Sequence, residues 1–147
     1  MIQTNKNYIY AVGKRKESVA RLRLYTGSFS ELKLGEDKVK KGDILFNGKR
    51  AKDYFKGLVA KAKYEQPLKI TNNLEKYVLS VKIEGGGQNG QLDAFIHALS
   101  RALSGMDEKS LLLLKKKGFL TRDARVRERR KVGMGGKARR KRQSPKR

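Results

Sequence analysis

The sequence predicts an α+β fold, a two-layer sandwich in which a mixed, mostly antiparallel sheet carries helices on one face. We expect an extended basic C-terminal tail to follow this sandwich. Three observations lead to this interpretation: the predicted elements run strands, helix, strands and two helices; one early strand alternates between two kinds of side chain; and basic residues crowd the end of the chain. With 147 residues, the chain has the size of one domain.

The first two strands are predicted from β-branched, aromatic and alternating residues. Residues 8–12 (YIYAV) suit a strand, and in residues 18–25 (SVARLRLY) successive side chains would point to opposite faces of a sheet. Residues 13–17 (GKRKE) would then form a basic hairpin loop. The face that we expect to enter the core carries Ala20, Leu22 and Leu24, and the opposite face carries Val19, Arg21, Arg23 and Tyr25.

The next stretch, residues 27–48, is polar and predicts short elements only. Residues 29–34 and 44–46 are weak strand candidates. Residues 35–43 (GEDKVKKGD) have the composition of a surface loop.

A helix is predicted over residues 51–64, where apolar residues recur at helical spacing. We expect Asp53 to cap the start of this helix and Pro67 to end it. Residues 68–71 and 77–84 are predicted as strands. The apolar pattern of the helix consists of Tyr54, Phe55, Leu58, Val59 and Ala62.

Two further helices are predicted towards the end of the sandwich. Residues 91–104 form an amphipathic pattern, with Gly105 as a C-cap, and Asp107 would cap a helix over residues 108–117. Gly118 closes the second helix, whose last turn is rich in lysine, as the helix dipole favours. The apolar stripe of the first helix consists of Leu92, Phe95, Ile96, Leu99 and Leu103.

The charge predicts a polyanionic partner. Lys and Arg number 37 against 14 Asp and Glu, a formal net charge of +23. Nucleic acid is the first candidate and an anionic membrane the second, but the basic tail lacks the apolar face of an interfacial helix. The absence of Cys and the single His exclude disulfides, a Cys-based zinc site and a multi-histidine metal site, so we expect no metal and no cofactor.

Neither a membrane span nor a secretory signal is predicted. The longest apolar run is the four leucines of residues 111–114, far below the ~20 residues that a span needs. The first seven residues carry no apolar segment of the secretory type. We therefore expect an intracellular protein of the cytoplasm.

The charge is concentrated at the C-terminal end, which divides the chain into a globular body, residues 1–121, and a tail, residues 122–147. The tail has 13 basic and two acidic residues and few apolar ones. Such a segment buries too little surface to offset its ordering entropy, so we expect it to be disordered without RNA and to fold on binding. The alternative is a solubilising or localising appendage.

A basic cluster and neighbouring tyrosines are the candidate RNA contacts of the body. Lys14, Arg15, Lys16, Arg21 and Arg23 lie within ten residues, and the planar guanidinium group suits phosphate oxygens. The alternative for this cluster is a solvated loop. The tyrosines that could stack on bases, although core packing is the commoner fate, are Tyr8, Tyr10 and Tyr25.

The glycine-rich turn before the first of the two last helices has two interpretations. Gly85, Gly87 and Gly90 match G-x-G-x-x-G, but no second parallel strand with a ribose-binding acid follows, which disfavours a dinucleotide site. Free amides at the helix start suit an RNA phosphate, whereas the alternative is a tight turn with close helix–strand packing. His97 is expected to be packed or partly exposed rather than catalytic, and no nucleophile, base and orienting group converge in the sequence.

Four segments resemble the family of the ninth protein of the small ribosomal subunit: residues 12–24, 46–55, 85–103 and 114–133. They occur in the family's order, and the resemblance extends over residues 8–147. Relative to compact members of that family, residues 35–43 look like an insertion. The glycine-rich hallmark is matched at Gly85, Gly86, Gly87, Gly90, Gln91, Ala94, Ala98, Arg101 and Leu103.

The resemblance implies a sheet covered by helices, no enzymatic activity, and a place in the head of the small subunit, beside other head proteins and on its ribosomal RNA. The tail would reach the anticodon stem-loop of the P-site transfer RNA through Lys146 and Arg147. The alternative is a basic RNA-binding chaperone outside the ribosome. The expected rRNA contacts are Lys14, Arg15, Lys16, Arg21, Arg23, Gly85, Gly86, Gly87, Gln88, Gly90, Gln91, Arg101, Arg122, Arg125, Arg127, Arg129, Arg130, Lys131, Lys137, Arg139, Arg140, Lys141 and Arg142.

Overall fold

A computed structural model describes residues 3–5, 8–27, 31–34 and 37–129. Their strands are β1 Gln3–Asn5, β2 Tyr8–Arg15, β3 Ser18–Tyr25, β4 Glu31–Leu34, β5 Asp37–Lys40, β6 Ile44–Phe46, β7 Lys49–Arg50 and β8 Val78–Glu84. Their helices are α1 Ala51–Tyr54, α2 Leu58–Ile70, α3 Gln88–Ser104 and α4 Glu108–Lys116. The helices pack on a mostly antiparallel sheet, which confirms the predicted α+β sandwich.

One sheet organises the body, in the strand order β1-β2-β3-β8-β6-β7. Its neighbouring strands are antiparallel except β6 and β8, which run parallel. Leu22 lies opposite Val81 and Leu24 opposite Leu79, so the alternating side chains of β3 and β8 fall on one face. The predicted core face of residues 18–25 is thereby confirmed, and its side chains are fully buried.

Helix α3 covers this face and completes the core. Phe95 and Leu99 of α3 are fully buried in the same apolar cluster as Leu22 and Leu24, and Leu114 of α4 closes one end. The helix lies so close to β2 that a methyl group on Gly13 would collide with the backbone of Ala94 and Ala98. This close packing places the opposite face of the sheet away from the helices.

The hairpin between β2 and β3 is tighter than predicted. The expected loop over residues 13–17 is wrong, because β2 continues to Arg15 and β3 begins at Ser18. Only Lys16 and Glu17 form the turn, and Lys16 has a φ of 51°. Gly13 therefore lies inside a strand, where it permits the close approach of α3.

The helix predicted over residues 51–64 is in fact two helices. The first helix ends at Tyr54, and the chain turns at Gly57 before α2 begins. Gly57 has a φ of 106°, a backbone conformation that glycine tolerates. Asp53 is not the cap, because the N-cap residue of α1 is Arg50. The break leaves Leu58 85% exposed and Val59 72% exposed, and Ala62 is exposed too, so the predicted apolar stripe does not hold beyond Phe55.

Helix α2 continues past Pro67, so the strand predicted over residues 68–71 is wrong. Proline removes one helical hydrogen bond, yet Pro67 and Leu68 are both buried, Leu68 in the main core. Burial of these side chains offsets the lost bond. The helix then ends at Thr71, whose hydroxyl donates to the Pro67 carbonyl at 3.0 Å.

A small hairpin replaces the surface loop predicted over residues 35–43. Strand β5 pairs with β4 in that segment. Val39 is buried in a second apolar cluster, whose other buried members are Tyr25, Leu45 and Val78. Residues 28–30, where the predicted strand 29–34 begins, lie outside the described residues.

The last two helices agree with their prediction. Gly105 is the C-cap of α3, and the Asp107 side chain accepts a hydrogen bond from the Lys109 amide at 3.4 Å at the start of α4. Beyond α4, Gly118 has a φ of 76° and turns the chain back towards the core. In the described part of the chain, no helix has the length and apolar character to span a bilayer.

Candidate nucleic-acid interface

The sheet face opposite α3 is basic and exposed around Arg21, Arg23 and Lys82, beside the second apolar cluster that covers Tyr25. Arg21 and Arg23 alternate with the core residues of β3, so they project from this face. Lys82 lies opposite Arg21 on the neighbouring strand β8. Together with Tyr10 and Asn47 these side chains line a groove of about 760 Å³. The result is a cationic surface on a rigid sheet.

The ion pairs inside this groove leave it positive. Glu84 lies 3.4 Å from the guanidinium group of Arg21 and 3.5 Å from the ammonium group of Lys82. All three side chains are about half exposed or more, and exposed pairs contribute roughly 0–1 kcal/mol. A phosphate can therefore compete with Glu84 for these cations. Arg23 lies over the Tyr8 ring, 5.4 Å from its centroid.

The predicted tyrosines have different environments. Tyr25 is only 8% exposed and its ring centroid lies 5.5 Å from that of Tyr8, so Tyr25 is a packing residue. Tyr10 is half-buried and lines the groove. Of the three, Tyr10 is therefore the one best placed to meet a base.

Asn47 fixes the floor of the groove, although the sequence did not single it out. Its side-chain amide donates to the Ile83 carbonyl at 3.0 Å, and its oxygen accepts from the Ile83 amide at 2.8 Å. Its own amide donates to the Val81 carbonyl at 2.9 Å. The side chain thus extends the pairing of β6 with β8 beyond the end of β6.

Arg15 differs from its neighbours in the predicted phosphate-binding cluster. Its side chain is only 12% exposed, and it lies 3.0 Å from Asp123 and 3.7 Å from Asp93 of α3. It also donates to the Arg125 carbonyl at 2.6 Å. Lys14 and Lys16, on either side of it, are exposed.

The Asp123 carboxylate is the centre of these contacts. It accepts from the Arg125 amide at 3.0 Å and from the Arg125 guanidinium group at 3.0 and 2.7 Å. These hydrogen bonds, together with the charges of Arg125 and Arg15, hold the pKa of Asp123 far below its ordinary value of 3.8. The carboxylate is therefore ionised at neutral pH.

The glycines at the start of α3 are explained largely by packing. A side chain on Gly85 would collide with the Glu17 carbonyl, and one on Gly86 with the Ser18 hydroxyl. Gly90 approaches the same hydroxyl, since an added methyl would lie 2.9 Å from it. Gly87 alone of these four has open space around it. The alternative of a tight turn with close packing thus accounts for three of the four glycines.

Two other predicted RNA contacts make hydrogen bonds within the body. Gln91 donates to the Gly85 carbonyl at 3.0 Å and accepts from the Tyr54 hydroxyl at 2.9 Å. Arg101 donates to the Val12 carbonyl at 2.6 Å. Both side chains therefore hold α3 to the rest of the body, while Gln88 at the start of α3 is exposed.

The tail is only partly described. Arg122, Arg127 and Arg129 are exposed in an irregular segment that leaves the body after Thr121. The remaining predicted contacts lie outside the described residues: Arg130, Lys131, Lys137, Arg139, Arg140, Lys141, Arg142, Lys146 and Arg147.

His97 is half-buried beside the start of this segment. Burial lowers its pKa below the ordinary value of 6.5, and the charges of Arg101 and Arg122 act in the same direction, whereas a backbone hydrogen bond with Leu120 opposes them. Its Nδ1 atom is buried without a hydrogen-bond partner among the described residues. His97 is therefore neutral at pH 7, and its half-buried position agrees with the expectation of a packed or partly exposed residue.

The predicted RNA contacts omit one groove residue, Lys82, that sequence reasoning could have found. Lys82 follows Val81 in an alternating strand, so period-two spacing alone places it on the face opposite the core. The pairing of Arg15 with Asp93 and Asp123 carries no such signal, because sequence does not reveal contacts between distant segments.

Known proteins resemble this chain over most of its length. Residues 13–147 match the family of ribosomal protein S9/S16. The small ribosomal subunit protein uS9 of Maridesulfovibrio salexigens is 43% identical over 132 residues, which are 90% of this chain and 92% of that protein. The protein of the same name from Desulfosudis oleivorans is 41% identical over 128 residues, 87% of this chain and 88% of that protein. These matches confirm the resemblance found in the motifs, and the chain belongs to the ribosomal protein S9/S16 family.

Proposed function

We propose that the chain is a structural constituent of the head of the small ribosomal subunit, where its body binds rRNA and its tail reaches the P-site tRNA. The observation that carries the rRNA part is the open sheet face, on which Arg21, Arg23 and Lys82 converge without a covering helix. Family membership supports the ribosomal setting.

The body binds by shape and charge. Strands β3 and β8 hold the backbone of the groove cations at fixed spacing, so little backbone order has to be gained on binding. Each phosphate that the protein neutralises releases condensed counterions and steepens the fall of log affinity with log salt by roughly 0.7–0.9. The guanidinium groups of Arg21 and Arg23 can each offer two donors to a phosphate.

The tail supplies reach. Its 26 residues carry a net charge of +11, and fully extended they would span at most ~85 Å at ~3.3 Å per residue. An extended cationic chain can enter a channel lined by phosphates that a folded domain cannot. We infer that the tail beyond the turn at residues 123–125 orders only on RNA, and that Lys146 and Arg147 act at the tRNA end.

The rRNA part is tested by the salt dependence of binding. The double variant Arg21→Gln, Arg23→Gln should lower the slope of log affinity against log salt for small-subunit rRNA by roughly 1.4–1.8, because two phosphate contacts are lost. The control is Lys115→Gln, Lys116→Gln at the end of α4, which changes the charge equally on another surface. Equal slopes for the two variants would remove the sheet face from the interface.

The tRNA part is tested by shortening the tail. Deletion of Pro145, Lys146 and Arg147 should leave incorporation into small subunits intact and weaken binding of P-site tRNA, since only the far end is lost. The variant Lys146→Gln, Arg147→Gln keeps the length and separates charge from reach. Filter binding of tRNA to reconstituted subunits is the measurement, and undiminished binding by both variants contradicts the role of the tail end.

A further inference from the structure

The contacts around Asp123 join three segments that are far apart in sequence. Arg15 ends strand β2, Asp93 lies on α3, and Asp123 and Arg125 begin the tail. The hydrogen bond from Arg15 to the Arg125 carbonyl connects residues 110 positions apart. The base of the tail is thus attached to the body at a defined place.

The body side of this attachment is rigid. Arg15 belongs to a continuous strand pair with β3, and the turn beside it packs against the glycines before α3. Its guanidinium group is held between two carboxylates and a carbonyl oxygen, and its side chain is 12% exposed. Two of its nitrogens contact acceptors within 3.0 Å, and burial of the side chain leaves little of the guanidinium group accessible to a phosphate.

On the tail side, the Asp123 carboxylate stabilises a local turn. Asp123 accepts from the Arg125 amide and from two nitrogens of the Arg125 guanidinium group, which fixes a compact turn over residues 123–125. Arg15 then contacts both ends of that turn, the Asp123 carboxylate and the Arg125 carbonyl. An acidic residue in so basic a segment therefore serves a contact within the chain.

We propose that Arg15, Asp123 and Arg125 form a clamp that sets the direction in which the tail leaves the body. Arg15 is a positioning residue in this arrangement and does not bind RNA, which distinguishes it from Lys14, Lys16, Arg21 and Arg23. The consequence for tRNA rests on the proposed function of the tail, whereas the clamp itself is a property of the free protein.

The clamp is tested first in the free, full-length protein by amide hydrogen exchange of Arg125. Arg15 does not touch that amide, which donates to Asp123. Arg15→Gln should nevertheless accelerate its exchange by roughly two- to five-fold, because the turn opens more often without the Arg15 contacts. Arg50→Gln, on the exposed strand β7, is the matched control and should leave the exchange unchanged. Equal rates in all three proteins would overturn the clamp.

A second variant approaches the clamp from the tail. Asp123→Asn keeps the size of the side chain and removes its charge, and it should accelerate exchange of the Arg125 amide more than Arg15→Gln does, because it weakens the bond to the amide directly. Asp53→Asn makes the same change of charge on an exposed residue of α1 and is the control. Because Asp123 lies outside the sheet and helices, we expect the Asp123→Asn variant to fold. Faster exchange of the Arg125 amide then reports opening of the turn and not unfolding of the body.

Reconstituted subunits then distinguish the clamp from the proposed function. Arg15→Gln should bind rRNA with an unchanged salt slope and hold P-site tRNA more weakly than the Arg50→Gln control. A salt slope lower by about 1 would show that Arg15 binds a phosphate and would overturn the proposal. Faster exchange of Arg125, with normal tRNA binding by both Arg15→Gln and the shortened tail, would support the clamp and reject the tail function.

Discussion

At the scale of single residues, Gly13 decides how closely the sheet and its main helix approach. The position has no side chain, and the nearest atoms to an added methyl are backbone atoms of Ala94 and Ala98, which cannot rotate away. A side chain at Gly13 would therefore separate β2 from α3 over a region that includes the fully buried Leu22 and Phe95.

Gly13→Ala should lower the free energy of unfolding by about 1–3 kcal/mol or more, as overpacked cores do. Gly87→Ala is the control: an added methyl meets nothing within 4 Å there, and a poorer N-cap residue costs under about 1 kcal/mol. Urea denaturation of both variants is the measurement. A cost at Gly13 no larger than at Gly87 would mean that the strand and helix adjust freely.

Single residues also show what the sequence could reveal of the candidate site. Alternation in β3 placed Arg21 and Arg23 on the open face correctly, because period two holds wherever a strand continues. The same rule could not place Arg15, since the predicted loop ended the strand at Val12. Its acidic partners are set by the tertiary fold, and no local pattern indicates them.

At the scale of elements, the long strands, the short strand β6 and the last two helices could be predicted, whereas the hairpin of β4 and β5 could be predicted only in part. β3, β8, α3 and α4 have strong periodicity or recognisable caps. The hairpin of β4 and β5 has a polar sequence. Among its described side chains, only Val39 is buried, and it belongs to the second apolar cluster. Such an element is stabilised by contacts with the sheet, which the local sequence does not show.

Helix α2 illustrates how tertiary packing overrides a local signal. Proline at position 67 predicted a stop, yet its burial together with Leu68 outweighs one missing hydrogen bond. Conversely, the helical spacing of Leu58 and Val59 predicted burial, but the turn at Gly57 directs both into solvent. Apolar periodicity thus identifies the residues on one face of a helix, but the tertiary fold determines whether that face is buried.

At the scale of the whole molecule, stability should depend on pH through His97. Its pKa is lower in the folded protein than the ordinary value of 6.5, so the unfolded chain binds the proton more readily. The contribution of neutral His97 to the free energy of unfolding should be complete above about pH 6.5. It should be lost as the pH falls towards and through the lowered pKa of the folded state.

The variant His97→Gln isolates this contribution. Denaturant unfolding of both proteins between about pH 5 and 7.5 should show a smaller loss of stability on acidification in the variant, because the titrating imidazole is gone. Carboxylates titrate equally in both proteins and cancel in the difference. Parallel pH profiles would exclude His97 as the source of the dependence.

The attachment of residue 125 to residue 15 has a consequence for biosynthesis. A growing chain makes the β2–β3 hairpin early, but the helix that covers it and the leucine that seals its end, Leu114, come much later. Until α3 and α4 have been synthesised, the apolar face of the hairpin is not covered by a helix. Until Asp123 has been synthesised, Arg15 lacks its ion-pair partner from the tail. Residues 123–125 are thus synthesised long after the hairpin whose Arg15 they contact.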